Sequence, residues 1–243
     1  MVNDMSESTL QIGVIAPEVL GTYGDTGNAM VLVQRARRRG IPADLVTVPL
    51  LSPIPDSLDI YTLGGGEDTA QSLAAQHLRS DRGLHRAVAA GRPVLAICAS
   101  LQVLGRWYRD AHGHKTEGLG LLDAETTPQG SRAIGEILTK PLIPGLTDML
   151  TGFENHGGCT ELGPDAKPLG QVILGTGNGF DGAEGAVQGS IIGTYMHGPV
   201  LARNPQLADL LLERALGHQL EPLEMDSVTN LRRQRLRAAK ASL

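Results

Sequence analysis

Short apolar runs alternate with helical patterns along the first half of the chain. The first run, from Leu10 to Ala16, precedes a glycine-rich segment and a helical stretch that ends at Arg39-Gly40. Further apolar runs cover Ala43 to Val48, Asp59 to Leu63 and Pro93 to Ile97. Because parallel strands need a crossover helix between them, this alternation predicts an α/β fold with a doubly wound, mainly parallel sheet.

The segments between and after these runs complete the predicted elements. Helical patterns cover Thr69 to Arg79, Gly83 to Ala90 and Ala99 to Tyr108. From Gly118 to Thr194 short strands rich in glycine and proline follow, and we interpret them as a second half of the same sheet. A last helix is predicted from Pro205 to Leu216.

The chain is expected to form one domain with a short tail. Its 243 residues are 41% hydrophobic but only 3% aromatic, so its core must consist mostly of aliphatic side chains. We place the domain at residues 10–217. Residues 218–243 form a polar, basic tail that is expected to be helical.

The net charge and the lengths of the apolar runs indicate which partners and which cellular location to expect. A net charge of -5 disfavours nucleic acid as a partner, because nucleic-acid-binding proteins carry a basic face. No apolar run approaches the roughly 18 residues that span a bilayer, and the N-terminus lacks a signal-peptide layout. No transmembrane segment and a cytoplasmic location are therefore expected. The two cysteines are expected to be thiols rather than a disulfide.

Cys98 is the strongest candidate for a catalytic nucleophile. It stands in VLAICASLQVLG, between a predicted buried strand and a helix, with small neighbours at Ala96, Ala99 and Ser100. A nucleophile on a sharp strand-to-helix turn occupies strained backbone, which bulky neighbours would obstruct. The start of the helix also favours a thiolate. The alternative is a buried, inert cysteine, which is the commoner role of this residue type.

His197 is the best candidate for the general acid and base that a thiolate nucleophile needs. It lies in SIIGTYMHGPV, just after a predicted strand. Because the carboxyl ends of parallel strands meet at one edge of a sheet, we expect His197 and Cys98 to lie together there. The alternative is an ordinary histidine in a surface loop.

The glycine run after Leu63 is a candidate oxyanion hole. Glycine N–H groups can approach a ligand without obstruction by a Cβ atom. Gly65 or Gly66, together with the backbone amide of Ala99, would form the pair of donors. A plain tight turn is the alternative.

Several segments carry a resemblance to a known family. LGGGEDTAQ, AICASLQ and GTYMHGPV, in that order, resemble class I glutamine amidotransferases of the cobyrinic acid synthase branch. LGTYGDTGN and TGFENHGG resemble the GatD glutaminase subunits, which act with the Mur-ligase-like protein MurT on the peptidoglycan precursor lipid II. The resemblance runs from about Ile12 to Leu216. It implies a flavodoxin-like amidotransferase domain that hydrolyses L-glutamine and passes ammonia to such a partner.

The resemblance also implies roles for individual residues. Cys98 matches the nucleophile, His197 the acid and base, and Arg132 the arginine that binds substrate glutamine. A guanidinium suits an α-carboxylate because it can donate two parallel hydrogen bonds. Gln102 stands where relatives carry a glutamine that contacts substrate. No cofactor is implied for this chain, whereas ATP and magnesium are expected on the partner, and lipid II would bring both chains to the inner face of the membrane.

One position departs from the wider family pattern. Many relatives carry a glutamate two residues after the histidine, where it orients the imidazole, but this chain has Pro199 there. We therefore expect the carboxylate from Glu67, Asp68 or Glu154, or from the partner. The partner is favoured, because it would couple glutamine hydrolysis to complex formation.

Other candidate signals receive structural interpretations. Asp25 or Thr26 is expected to cap the first helix, and the alternative is a role of the loop LGTYGDTGN at the active-site rim or at a partner interface. The absence of a following Gly-Lys-Ser/Thr excludes a P-loop. His112 and His114 lie in a polar loop without cysteine ligands, so no metal site is predicted. Cys159 has no neighbouring base in the sequence and is interpreted as a bystander.

Two other functions stay open from the residues alone. One is a stand-alone cysteine hydrolase of the same architecture, such as a peptidase or a γ-glutamyl hydrolase. The other is a non-catalytic scaffold subunit that keeps the strand-to-helix turn. Because one fold hosts many chemistries, the geometry of the site must decide between them.

Overall fold

The computed structural model describes residues 8–21, 23–179 and 181–241. The helices are α1 (Gly27–Arg37), α2 (Asp68–Ser80), α3 (Gly83–Ala89), α4 (Ala99–Leu104), α5 (Val200–Arg203), α6 (Pro205–Leu216) and α7 (Asp226–Ala241). The strands are β1 (Leu10–Ile15), β2 (Ala43–Val48), β3 (Ile60–Leu63), β4 (Val94–Ile97), β5 (Trp107–Arg109), β6 (Lys115–Glu117), β7 (Ala124–Pro141), β8 (Leu150–Leu162), β9 (Gly170–Leu174), β10 (Ala183–Glu184), β11 (Ala186–Gln188) and β12 (Ile191–Thr194).

The first sheet is the doubly wound sheet that the sequence predicts. Its strand order is β11-β12-β4-β3-β1-β2, and every neighbouring pair is parallel except β11 with β12. Alternate side chains enter two cores. Leu95 and Ile97 of β4 pack with α1 and α6 on one face, and Val94 and Ala96 pack with α2 and α3 on the other. The mainly parallel α/β architecture is confirmed, with its central strands covered on both faces.

Most of the segment from Gly118 to Thr194 forms a second sheet, so the prediction of one continuous sheet is wrong. The second sheet has the order β10-β9-β7-β5-β6, and β8 pairs with β7 as a long antiparallel hairpin. Only β11 and β12 join the first sheet. The physical reason lies in β7, whose buried and exposed residues are mixed along the strand. Such a strand suits an antiparallel sheet with one solvated face rather than a covered parallel sheet.

The helix predicted from Ala99 to Tyr108 ends early, at Leu104. Gly105 has extended backbone, and a Cβ atom there would stand 2.7 Å from the carbonyl oxygen of Ala124. The chain therefore leaves the helix and continues into β5.

The C-terminal tail contains α7, which is anchored by one arginine. Arg232 donates hydrogen bonds to the carbonyl oxygens of Met149 and Arg203 and to the Asn204 side chain. Two of these acceptors, Arg203 and Asn204, lie at the end of α5, which follows the segment that contains His197. Within the described ranges, no helix combines the length and apolar composition that crossing a bilayer requires.

Candidate active site

Cys98 lies between the end of β4 and the start of α4, where the sequence predicts a sharp turn. Its φ of 52° and ψ of -106° are a sparsely populated combination for a residue with a side chain. Its backbone N–H donates to the carbonyl oxygen of Thr194 on the neighbouring β12, at 2.8 Å. The turn thus holds Cys98 at the carboxyl edge of the first sheet, where it lines a cleft.

His197 reaches the same edge from β12. Thr194 pairs with Ile97 in the parallel register, so β12 and β4 end side by side. The backbone of His197 is fixed by a bridge to Phe153 of β8, with N···O distances of 2.9 and 3.1 Å. His197 is almost completely buried. The two residues that the sequence predicts as partners are therefore brought together, and the second sheet holds one of them in place.

Asp25 supplies a carboxylate to His197. The Nδ1 atom of His197 donates to Asp25 Oδ2 at 2.9 Å and lies 3.2 Å from Oδ1. The Asp25 side chain has no exposed surface, and Oδ2 also accepts the backbone N–H of Gly65 at 2.9 Å. The prediction that Asp25 or Thr26 caps the first helix is wrong, because α1 begins at Gly27 without a side-chain capping bond.

The carboxylates considered from the sequence lie elsewhere. Glu67 precedes α2 and Asp68 begins it, on the wall of the cleft. Glu154 accepts the backbone N–H groups of Thr176 and Gly177 at 2.8 and 2.9 Å. The expectation of a carboxylate from these residues or from a partner is therefore corrected, because the chain itself already places one on the imidazole.

The charge state of His197 is set by its neighbours. Burial alone lowers the pKa of the imidazole, but its interactions with Asp25 and Cys98 outweigh burial and raise the pKa to about 9. Because Nδ1 faces Asp25, the interaction with Cys98 involves Nε2, although Nε2 makes no hydrogen bond of normal geometry among the described residues. The raised pKa favours the imidazolium at neutral pH, with one N–H fixed on Asp25 and the other toward Cys98.

The glycine run is required by close backbone contacts. A Cβ atom at Gly64 would stand 2.2 Å from the carbonyl oxygen of Leu20, and one at Gly66 would stand 2.7 Å from that of Val19. Both oxygens belong to the loop between β1 and α1. Ser100 adds a hydrogen bond from its hydroxyl to the Gly64 carbonyl oxygen at 2.5 Å. The glycine turn is therefore packed between this loop and α4.

One of the three donors predicted for the oxyanion hole is already used within the protein. The backbone amide of Gly65 donates to Asp25, so Gly65 is not available to a substrate oxyanion. Gly66 and Ala99 both line the cleft beside Cys98. Of the predicted donors, the amides of Gly66 and Ala99 stay as the candidate pair.

Arg132 lines the cleft that also contains Cys98. It sits in an irregular stretch of β7, where the register with β8 shifts between Pro128 and Ala133. Its Nε donates to Asn155 Oδ1 at 2.6 Å, and its Nη2 donates to the Asn155 carbonyl oxygen at 3.3 Å. A guanidinium has five N–H donors, so donors are left over for a ligand carboxylate.

Gln102 also lines the cleft, but it is tied into the protein. It accepts a hydrogen bond from Gln71 at 2.7 Å and donates to the Tyr195 hydroxyl at 3.0 Å. Tyr195 in turn bonds Thr160 at 2.6 Å and stacks on His156 with ring centroids 3.8 Å apart. These bonds make a rigid wall, and a contact of Gln102 with substrate stays a prediction.

Metal ligation finds no support in the geometry. Among the described residues, no group of three or more His, Cys, Asp or Glu side chains is placed to hold a metal ion. In the polar loop, His114 Nδ1 pairs with Asp110 at 3.1 Å on an exposed surface.

As site residues, sequence reasoning did not single out Asp25, which bonds His197, or Tyr23 and Asn155, which line the cleft. For Asp25 a signal was available, because the loop after β1 must end at the same sheet edge as Cys98 and His197. Tyr23 and Asn155 lie in the two segments that resemble the GatD subunits.

Comparison with known proteins shows the family of the chain. Residues 11–205 match the CobB/CobQ-like glutamine amidotransferase domain. The Staphylococcus aureus protein named lipid II isoglutaminyl synthase (glutamine-hydrolyzing) subunit GatD is 39% identical over 214 residues, which cover 86% of each chain. The Streptococcus pneumoniae protein of the same name is 37% identical over 211 residues, or 85% of this chain and 80% of that one.

A solved glutamine amidotransferase structure has the same fold. Its TM-score is 0.57 at 19% identity, over 84% of this chain and 98% of that chain. This likeness supports the fold alone, whereas the sequence matches extend over most of the chain. The protein therefore belongs to the family of CobB/CobQ-like glutamine amidotransferase domains, in which the GatD subunits are its relatives.

Proposed function

We propose that the chain is the glutaminase subunit of a lipid II isoglutaminyl synthase. The observation that carries this proposal is the meeting of Cys98, His197 and Asp25 at one sheet edge, with Cys98 and Arg132 lining the same cleft. The similarity to the named GatD subunits supports the same function. The substrate of this cleft is L-glutamine, and its products are glutamate and ammonia.

The first half of the reaction transfers the glutamyl group to the enzyme. The Cys98 thiolate attacks the carboxamide carbon of glutamine, and the backbone amides of Gly66 and Ala99 stabilise the oxyanion that forms. The His197 imidazolium donates a proton to the departing nitrogen, which leaves as ammonia. Arg132 binds the α-carboxylate of glutamine and positions the carboxamide at the thiolate.

The second half releases glutamate. His197, now neutral, takes a proton from a water molecule that attacks the glutamyl thioester. The tetrahedral intermediate collapses, the thiolate of Cys98 leaves, and glutamate forms. Asp25 keeps the Nδ1–H of His197 oriented in both halves, so that Nε2 exchanges the protons.

The ammonia requires a second active site. Free ammonia is protonated in water at neutral pH and loses its nucleophilicity, so it must pass directly to an acceptor. We propose that a Mur-ligase-like partner, MurT, uses ATP and magnesium to activate the D-glutamate carboxylate of the lipid II stem peptide. Ammonia then converts that residue to D-isoglutamine. Because lipid II is membrane-bound, the two chains would work at the inner face of the membrane.

An ammonia-bypass experiment tests the proposal. The full chain is co-purified with the Mur-ligase-like protein, and lipid II amidation is measured with glutamine or with ammonium chloride as the nitrogen source. Cys98→Ala should abolish the glutamine-dependent reaction and keep the ammonium-dependent one. Cys159→Ala, which removes the other buried thiol, should keep both.

Other outcomes would favour other functions. Retained glutamine hydrolysis in Cys98→Ala would contradict the covalent step. Cleavage of peptide amides by the chain alone, without a stable partner, would favour a stand-alone cysteine hydrolase. A complex that needs the chain for ammonium-dependent amidation, but never uses glutamine, would favour a scaffold.

A further inference from the structure

Three side chains join across the mouth of the cleft. Asn155 Nδ2 donates to the hydroxyl of Tyr23 at 2.8 Å, and Asn155 Oδ1 accepts from Arg132 Nε at 2.6 Å. All three residues line the cleft that contains Cys98. We call Tyr23, Asn155 and Arg132 the rim bridge, because they connect the loop after β1 with β8 and β7.

Tyr23 also contacts the catalytic imidazole. Its ring meets the ring of His197 edge-on, with centroids 4.9 Å apart and planes at 62°. Tyr23 has a φ of 62°, in the left-handed region that a residue with a side chain rarely adopts. Backbone of this kind persists where surrounding contacts hold it, and functional sites are the usual place. Tyr23 is nevertheless 46% exposed, so burial in the core does not explain its conformation.

The other end of the rim bridge also leads to His197. Asn155 lies two residues after Phe153 on β8, and Phe153 pairs with the His197 backbone through two hydrogen bonds. Asp25, which holds the imidazole, lies two residues after Tyr23. The strand pair that carries Arg132 and the segment that carries His197 are therefore linked twice, through the rim bridge and through the backbone bonds between Phe153 and His197.

We propose that Tyr23 is a positioning residue with two separable contributions. Its hydroxyl, through Asn155, holds the Arg132 guanidinium in place for the α-carboxylate of glutamine. Its ring packs against the His197 imidazole and limits its rotation. The inference rests on the proposed glutaminase function, since it assigns Arg132 to the substrate carboxylate.

Substitutions can separate the two contributions in steady-state glutaminase assays of the full chain with its Mur-ligase-like partner. Tyr23→Phe removes only the hydroxyl and should raise KM for glutamine about fivefold, the usual effect of one lost hydrogen bond, with kcat within about twofold. Asn155→Ala should have a similar effect. The double variant should be no worse than the single ones, because both break the same connection. Tyr23→Ala should lower kcat in addition.

A substrate analogue and a control variant exclude a general loss of structure. Glutamine with an amidated α-carboxyl group lacks the group that Arg132 binds, so its KM should be the same for wild type and Tyr23→Phe. Tyr61→Phe removes a buried hydroxyl that bonds the Pro55 carbonyl oxygen at 2.6 Å, away from the cleft. It should lower the melting temperature and leave KM for glutamine unchanged.

The outcomes separate this inference from the function on which it rests. An unchanged KM for Tyr23→Phe, or additive effects in the double variant, would overturn the positioning role while the glutaminase function stands. A wild-type complex that does not hydrolyse glutamine would overturn the function itself.

Discussion

Replacing Asp25 by asparagine keeps the shape of the side chain and removes its charge. The rise of the His197 pKa from 6.5 to about 9 corresponds to about 3 kcal/mol of preference for the imidazolium. His197 is buried, so solvent does not greatly weaken its interactions. Asp25 and Cys98 are the two neighbours that raise the pKa, and Asp25 accepts a direct hydrogen bond from the Nδ1 atom of His197 at 2.9 Å. We assign about 2 kcal/mol to Asp25, which predicts a fall of roughly 30-fold in kcat/KM for glutamine.

The pH dependence gives a second readout of the same substitution. In the wild type the imidazolium is the main form below about 9, so activity that depends on its proton should fall as the pH rises through about 9. In Asp25→Asn this alkaline limb should move toward the ordinary histidine value. The stabilising contribution of the charged imidazole follows the same direction, being complete below the unfolded value and lost as the pH rises through about 9. Initial rates of glutamate release at a series of pH values from neutral to alkaline would measure the alkaline limb, and urea unfolding over the same series would measure the stability.

Asp123→Asn is a matched control for this substitution. Asp123 is also buried and accepts a backbone N–H, from Asp165 at 3.0 Å, but it does not line the cleft. It should lose stability and keep its pH profile. An Asp25→Asn variant with kcat/KM within about threefold of wild type, and with the alkaline limb unmoved, would refute the assignment of Asp25. A carboxylate from the partner would then be needed after all.

Three further substitutions have defined outcomes. Gly64→Ala places a Cβ atom 2.2 Å from a backbone oxygen and should cost about 2 kcal/mol or more in urea unfolding, whereas Gly130→Ala, with open space around it, should cost nothing. Asp209→Ala leaves the Arg35 guanidinium, now bonded at 2.6 Å and 7% exposed, without its carboxylate, so the free energy of unfolding should fall by about 3–5 kcal/mol. Arg132→Lys cannot donate two parallel hydrogen bonds and should raise KM for glutamine about tenfold at similar kcat, as steady-state kinetics would show.

The first sheet and two members of the site could be predicted because they depend on local pattern. Cys98 and His197 each follow a short apolar run, and the carboxyl ends of parallel strands meet at one edge. The same rule applies to the loop after β1, yet Asp25 was interpreted as a helix cap. A carboxylate just before a helix fits a cap equally well on the sequence alone. Only the distance to His197, across 172 positions of the chain, separates the two roles.

The second sheet could not be separated from the first by local pattern. The mixed pattern of β7 suits an antiparallel strand, but it does not show which strands β7 pairs with or that they leave the first sheet. Pairing in an antiparallel hairpin depends on contacts between positions far apart in the sequence, such as Ala124 with Leu162. The contact between Arg132 and Asn155 arises from the same pairing of β7 with β8, so it could not be predicted from local pattern either.

The packing of the glycine run has a consequence for how related sequences diverge. Gly64 and Gly66 are needed because carbonyl oxygens of the loop after β1 lie against them, and Gly65 is needed because a Cβ atom there would stand 2.9 Å from His197 Cε1 and 3.2 Å from Asp25 Oδ2. The loop and the turn should therefore be inherited as one unit. A descendant that lost the aspartate and let this loop move away would no longer need the glycines. An alignment of many relatives should accordingly show the aspartate and the glycines lost together, and a transplanted Cys98 turn should need the loop with it.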